Sequence, residues 1–106
     1  MMPRPKTGGV NPMKLKSLCS LKTGYVTADF WVVRRGSIES LGKPTRNFNP
    51  EHIGVKVERS DIVIEKWLFY VFEHLNTSGY FKALAKGTIS LQHITISDVG
   101  NIQFKQ

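Results

Sequence analysis

The alternation of apolar and polar positions along the chain predicts several short strands. IGVKVE at residues 53–58 and ISLQHITI at residues 89–96 alternate as half-buried strands do. DFWVVRR at residues 29–35 is rich in aromatic and β-branched side chains, which favour an extended backbone. NIQF at residues 101–104 predicts a last short strand.

The strongest periodic pattern in the chain is helical. Four apolar residues recur at the spacing of one helix face: Leu68, Val71, Phe72 and Leu75. The pattern predicts a helix over Glu65–Thr77 that ends near Gly79 and places Leu68 and Phe72 in the core. YFKALAKG predicts a second short helix, and MKLKSLCSL predicts a short helix or a helix that passes into a strand.

These elements predict one α+β domain over residues 14–106. We expect a small, mostly antiparallel sheet packed against one main helix and one or two short helices. The length of 106 residues allows one domain with a modest core. Residues 1–13 carry three prolines and two glycines without a periodic apolar pattern, and they predict a flexible basic N-terminal arm.

The formal net charge is +7, and the positive charge is concentrated in the first half of the chain. Residues 1–46 hold nine Lys and Arg against two Asp and Glu. Residues 47–81 hold three against five, and residues 82–106 hold three against one. This asymmetry is typical of a protein that turns one surface to a polyanion such as nucleic acid, although an ordinary solvated basic face has the same composition.

The sequence shows no membrane span and indicates a reducing compartment. No apolar run approaches the roughly 20 residues that a spanning helix needs. The N-terminal MMPRPKTGGVNPMK lacks the apolar centre of a secretory signal. The one cysteine, Cys19, has no partner for an internal disulfide. We therefore expect a cytoplasmic protein.

Residue spacing gives little support to catalysis or metal binding. No helical i, i+4 or CxxC spacing joins any two of the candidate metal ligands Cys19, His52, His74 and His93. Cys19 lies among leucines, which favours a buried apolar role over that of a nucleophile. The chain has neither a GxxxxGK[ST] loop nor a GxGxxG loop. We therefore expect no enzyme activity, no cofactor and no metal.

The segment WVVRRGSIESLGKPT carries the first candidate nucleic-acid contacts. The guanidinium fork of arginine matches phosphate oxygens and the guanine edge, and Arg34 and Arg35 precede a glycine that permits a close backbone approach. Because adjacent strand residues face opposite sides, we expect one arginine to reach the ligand and the other to pair internally or meet solvent, unless the strand breaks there. Lys43 and Arg46 follow as further phosphate contacts.

The segment KGTISLQH carries the second set of candidate contacts. It offers a cation, hydroxyl groups, an amide and an imidazole, all common partners of phosphates and base edges, in Lys86, Thr88, Ser90, Gln92 and His93. The alternative interpretation is a helix end followed by an exposed strand.

The order of these segments over roughly residues 14–104 resembles the target-recognition domain of type I restriction–modification specificity subunits. That family shows a glycine turn, a strand with an RRG-I loop, a second strand, a Leu- and Tyr-rich helix, a short helix, a GT…HI turn and a terminal strand. The matching positions here are Gly24, Arg34, Arg35, Gly36, Ile38, Leu68, Tyr70, Leu75, Phe81, Gly87, Thr88, His93, Ile94 and Ile102. The resemblance implies a mixed α/β fold and duplex DNA as the ligand, with Arg34–Arg46 and Gly87–Thr88 turned to the DNA.

Two differences from the family pattern shape the expected function. Only nine residues separate Gly24 from Arg34, where family members have a longer base-reading segment, so we expect weak sequence preference. The long helix that follows the recognition domain in the family has no counterpart before Gln106. A trimmed, stand-alone copy of this kind would suit a phage or mobile element.

Two other functions remain open at this point. A protein-interaction module could use the same fold to mimic or inhibit a restriction–modification or nuclease complex. A single-stranded DNA binder could stack bases on aromatic side chains that interleave with the cations, although a core role for these residues is favoured: Tyr25, Phe30, Trp31 and Phe48.

Overall fold

The structure, a computed structural model, describes residues 13–88 and 91–104. The strands of this part of the chain are β1 (Met13–Lys14), β2 (Cys19–Thr23), β3 (Phe30–Val32), β4 (Arg35–Gly36), β5 (Pro44–Thr45), β6 (Ile53–Val57), β7 (Lys86–Gly87), β8 (Gln92–His93) and β9 (Gln103–Phe104). Its helices are α1 (Glu65–Thr77), α2 (Tyr80–Leu84) and α3 (Ile96–Gly100), with short 3₁₀ helices at Leu15–Ser17 and Ile38–Ser40. The predicted N-terminal arm lies outside the described residues except for Met13, which pairs with Phe104 in β1.

The strands form three antiparallel sheets: β1–β9, β2–β6–β3–β5 and β4–β8–β7. The predicted α+β class with one main helix is confirmed. The single sheet that the sequence suggested is divided because the strand predicted over residues 29–35 is interrupted. Val33 exchanges backbone hydrogen bonds with Gly42 and Lys43, and the Arg34 carbonyl then accepts from the N–H of Ile94, next to β8.

The four-stranded sheet is built around β6. Its five residues pair with β2 over the whole span from Cys19 opposite Val57 to Thr23 opposite Ile53, and β3 pairs on its other edge. Cys19 is buried, and burial raises the pKa of its thiol to about 12, with Asp29 and Glu58 contributing in the same direction. The interpretation of Cys19 as a buried apolar residue is therefore confirmed.

Helix α1 covers this sheet with the apolar face that the sequence predicted. Leu68 and Phe72 are fully buried. The Phe72 ring lies edge-on to Phe30 of β3, with ring centroids 5.7 Å apart, and stacks on Phe81 of α2 at 5.9 Å. Phe72 of α1 thus contacts both the four-stranded sheet and helix α2.

The loop before β5 is shaped to fit against these helices. The side-chain amide of Asn76 on α1 donates to the carbonyls of Glu39 and Leu41, each at 2.9 Å. Gly42 has a φ of 78°, and a Cβ atom there would overlap the ring of Phe81. Only glycine meets both demands, because the left-handed region disfavours side chains.

Of the strand predicted over residues 89–96, the structure describes residues 91–96, and the strand within them is short. Gln92 and His93 alone form β8, and α3 begins at Ile96. The cause is a capping box, in which Thr95 Oγ1 accepts from the N–H of Asp98 and the Asp98 carboxylate accepts from the N–H of Thr95.

The described ranges contain no helix with the length and apolar character needed to cross a lipid bilayer.

Replacing Phe72 by alanine is expected to cost roughly 3–5 kcal/mol of the free energy of unfolding, because the cavity would separate Phe30 from Phe81. Urea denaturation followed by circular dichroism measures this loss. Tyr70→Ala is the matched control, because Tyr70 is an aromatic residue of the same helix with 67% of its surface exposed. Equal losses in the two variants would show that the Phe72 face is not the core face.

Candidate nucleic-acid interface

The three-stranded sheet joins two of the segments that the sequence singled out. Strand β8 lies in the middle, between β4 of the RRG segment and β7 of the KGT segment. Its register places Arg35 and Lys86 on either side of His93. The next row places Gly36 and Gly87 on either side of Gln92. Residues more than fifty positions apart in the sequence are therefore neighbours in one small sheet.

The two rows present different chemistry. Residues directly opposite each other in antiparallel strands share a face, and successive residues alternate between faces. Arg35, His93 and Lys86 therefore form one row of basic groups, whereas Gln92 belongs to the other face with glycine on each side. Gly87, with a φ of 115°, could not carry a side chain here, because a Cβ atom would lie 2.6 Å from the carbonyl oxygen of Leu91.

Arg34 and Arg35 converge on one carboxylate. Arg34 Nη2 donates to Glu51 Oε1 at 2.8 Å, and Arg35 Nη1 reaches the same oxygen at 3.4 Å. Arg34 Nε also donates to the backbone carbonyl of Glu51 at 2.8 Å. The two side chains were expected to separate unless the strand breaks at this point, and it does break: β3 ends at Val32 and β4 begins at Arg35.

A tight turn positions Glu51. Its N–H donates to the side-chain oxygen of Asn49 at 2.8 Å, and the N–H of His52 donates to the Asn49 carbonyl at 3.0 Å. The turn is tied to the β2–β3 connection, where the N–H of Gly24 donates to the Pro50 carbonyl. Burial, and then the charge of Arg34, hold the pKa of His52 below its usual value, with Glu51 acting in the opposite direction. His52 is therefore neutral at pH 7 and adds no cation to the pair.

Lys86 is engaged by α3. Its Nζ atom lies 2.8 Å from Asp98 Oδ2 and also donates to the Leu84 carbonyl. Burial alone would raise the pKa of Asp98, but the hydrogen bonds from Lys86 and Thr95 together hold it below its usual value. The predicted phosphate contact Lys86 thus has an internal partner that also caps a helix.

Arg46 and Lys43 lie outside the three-stranded sheet. The Arg46 guanidinium contacts the Glu65 carboxylate at the start of α1 and lies 4.4 Å from the ring centroid of Phe69. This arrangement ties β5 to α1. Lys43 is exposed, and its carbonyl accepts from the N–H of Val33, which places its backbone beside the residue that precedes Arg34.

The remaining predicted contacts lie around the β7–β8 loop. Thr88 closes this loop, since its N–H donates to the Leu91 carbonyl at 3.1 Å and its hydroxyl accepts from the N–H of Leu91 at 3.2 Å. Ser90 lies outside the described residues. Gln92 and His93 are half-buried.

A cleft of about 560 Å³ opens beside the basic row. Its polar lining comes from residues of β2, the β3–β4 connection, β8 and the start of α3: Thr23, Arg34, His93, Thr95 and Ser97. Sequence reasoning missed Glu51, Thr23, Thr95 and Ser97. Only Thr95 had a local signal, the T-x-x-D spacing of a capping box.

The aromatic residues considered for base stacking are mostly in the interior. Tyr25, Phe30 and Trp31 are buried, and the indole N–H of Trp31 donates to the Tyr25 carbonyl at 2.9 Å. Phe48 is exposed and lies edge-on to Trp31, with ring centroids 5.8 Å apart. Within residues 13–88 and 91–104, no three His, Cys, Asp or Glu side chains come together as a metal site requires.

Comparison with known proteins gives a structural match. No protein-family model matches the chain, and no curated protein matches its sequence. The S subunit of a type I restriction-modification system from M. genitalium has a similar crystal structure, with a TM-score of 0.66 and 19% identity. The match covers 99% of this chain and 37% of that chain. The fold is therefore that of part of such an S subunit, and the target-recognition-like fold that the resemblance implied is confirmed.

Asp98→Ala is expected to lower the free energy of unfolding at pH 7 by about 0.5–2 kcal/mol, because the carboxylate that accepts from the N–H of Thr95 in the capping box and pairs with Lys86 is lost. The folded-state pKa of Asp98 is depressed, so its contribution is present above its unfolded value near 3.8 and is lost as the pH falls through the folded value. Urea denaturation from pH 7 to pH 2.5 should show the two proteins converging in acid. A difference in stability that stays constant over this range would contradict the ionised role of Asp98.

Proposed function

We propose that this protein is a non-enzymatic DNA-binding domain that holds the phosphate backbone of duplex DNA. The observation that carries the proposal is the register of the three-stranded sheet, which gathers Arg35, His93 and Lys86 into one row beside Arg34. Two sequence segments with phosphate-binding chemistry have no local reason to meet. The pairing of β8 with β4 and β7 brings both segments into one sheet, where a single ligand can contact both.

The distribution of charge supports a polyanionic ligand. The whole chain carries +7, and Arg34, Arg35 and Glu51 together retain one positive charge after pairing. Lys43 is exposed near the start of the arginine pair. Phosphate contacts of this kind supply most of the sequence-independent affinity for DNA.

Weak sequence preference is part of the proposal. After Gly24, residues 25–29 form a compact turn held by the hydrogen bond from the N–H of Ala28 to the Tyr25 carbonyl, and the chain then enters β3 directly. It offers no extended loop for reading base edges. Gln92, the side chain best suited to base recognition, lies on the face opposite the basic row.

Duplex DNA fits the structure better than a single strand. Proteins that bind single strands stack successive bases on exposed aromatic rings. Of the four aromatic residues near the cations, Phe48 alone is exposed. The proposal involves no cofactor or metal, and we expect the protein to act in the cytoplasm.

A protein-interaction module that engages a restriction–modification or nuclease subunit is the second candidate. Three exposed side chains favour it: Ile64, which immediately precedes α1, and Trp67 and Tyr70 on α1, with 69%, 49% and 67% of their surfaces exposed. A groove of about 400 Å³ lies beside Trp67. Exposed apolar surface of this kind marks many protein-binding sites.

A titration with duplex and single-stranded oligonucleotides of the same sequence, at 50 and 200 mM salt, separates these functions. We expect duplex binding that weakens steeply with salt, as counterion release requires, and little difference between unrelated sequences. Tighter binding to the single strand would favour base stacking. Absence of binding to either DNA at 50 mM salt would favour the protein-interaction module.

The Arg34→Ala/Arg35→Ala double variant is expected to weaken binding to all duplex sequences alike. Its plot of log K against log salt should be flatter by about 1–2, because one or two phosphate contacts are lost. Fluorescence anisotropy measures both effects, and circular dichroism checks the fold. Arg59→Ala is the control, because Arg59 is an exposed arginine paired with Asp61 and lies beyond the far end of β6. Unchanged binding by a folded double variant would assign both arginines to structure alone.

A further inference from the structure

Glu51 occupies the point at which the two arginine side chains meet. One of its carboxylate oxygens, Oε1, is the acceptor for both Arg34 and Arg35. The Glu51 side chain is 59% exposed, whereas that of Arg34 is 26% exposed. The carboxylate therefore lies on the solvent side of a pair of guanidinium groups.

This arrangement resembles the contact that arginine makes with phosphate. Guanidinium groups bind carboxylate and phosphate oxygens with the same planar donor geometry. Arg34 does not depend on the carboxylate for its position, because its Nε atom also donates to the backbone carbonyl of Glu51. A phosphate oxygen could replace Oε1 while Arg34 keeps this second hydrogen bond.

The exchange has a small energetic cost. An exposed ion pair contributes little to stability, and the contact to Arg35 is long at 3.4 Å. The Glu51 backbone is fixed by the Asn49 turn, so the side chain can rotate away without unfolding the loop. A single small anion gains little from this exchange, whereas a polyanion adds contacts at Lys43 and along the basic row.

We propose that Glu51 is an internal substitute for phosphate, which holds Arg34 and Arg35 in the free protein and is displaced by a phosphate of the DNA backbone. The inference rests on the proposed function and adds a regulating group to the same site. Glu51 lowers the affinity for DNA in two ways. It competes for the guanidinium groups, and its charge repels the incoming backbone.

The test compares Glu51→Gln with Glu58→Gln in binding to a 20-base-pair duplex at low salt. The two substitutions change the net charge equally, and the two exposed glutamates flank opposite ends of β6. We expect Glu51→Gln to bind about two- to fivefold tighter than the wild-type protein, as loss of an exposed ion pair allows. Glu58→Gln should change the affinity by a smaller factor.

The same substitution in the Arg34→Ala/Arg35→Ala background separates competition from general charge. We expect the gain from Glu51→Gln to shrink there to that of Glu58→Gln, because the competed groups are absent and only the loss of one negative charge remains. A gain of undiminished size there, or a gain in the wild-type background no larger than that of Glu58→Gln, would overturn the inference in favour of a net-charge effect. Weaker binding by Glu51→Gln would overturn it by showing that Glu51 only orders the arginines.

The outcomes also distinguish this inference from the proposed function. Wild-type binding without a gain in Glu51→Gln removes the inference and leaves the function standing. Absence of duplex binding by both proteins removes the function and the inference together.

Discussion

The packing of the Phe72 ring between Phe30 and Phe81 is the contact on which the rest of the structure depends. Phe30 lies on β3, so this packing fixes the strand that leads through Val33 to the arginine pair. Phe81 lies against Gly42, so it also fixes the loop that carries Lys43. The backbone segments that carry the arginine pair and Lys43 are therefore both anchored to the same core. Their side chains can adapt to a ligand while their backbone positions stay constant, which limits the entropy lost on binding.

The periodicity of apolar residues predicted the elements that are long enough to show a repeating pattern. Strand β6 and helix α1 alternate or repeat over many residues, and the structure has them where the pattern indicated. The two-residue strands β4, β7 and β8 are too short for any period. They exist because of pairing between distant segments, and no local window contains that information. At the start of α3 a local signal was present, the capping box of Thr95 and Asp98, but the apolar–polar alternation of residues 89–96 ran past Thr95 and predicted a strand there instead.

The charges of the candidate site were harder to predict than its residues. Each of the four arginines in the described ranges forms an ion pair, and the acidic partners are 2 to 19 residues away in sequence. A composition of +7 therefore overstates the positive charge that a ligand meets at any one place. Arg46 illustrates the point, because its contacts with Glu65 and Phe69 serve the junction of β5 and α1. Long-range pairing of this kind follows from the fold and leaves no trace in spacing.

Because Cys19 is buried, the reactivity of its thiol can be used to measure local unfolding of the structure around it. The thiolate is the reactive form of cysteine, and a pKa of about 12 leaves almost none of it at neutral pH. Cys19 is 5% exposed and lies at the first pair of the β2–β6 ladder, so alkylation at neutral pH is expected to be fast only after the structure around this end of β2 opens. The rate of alkylation then reports the free energy of that local opening. Because the chain has one cysteine, the signal comes from a single, known position.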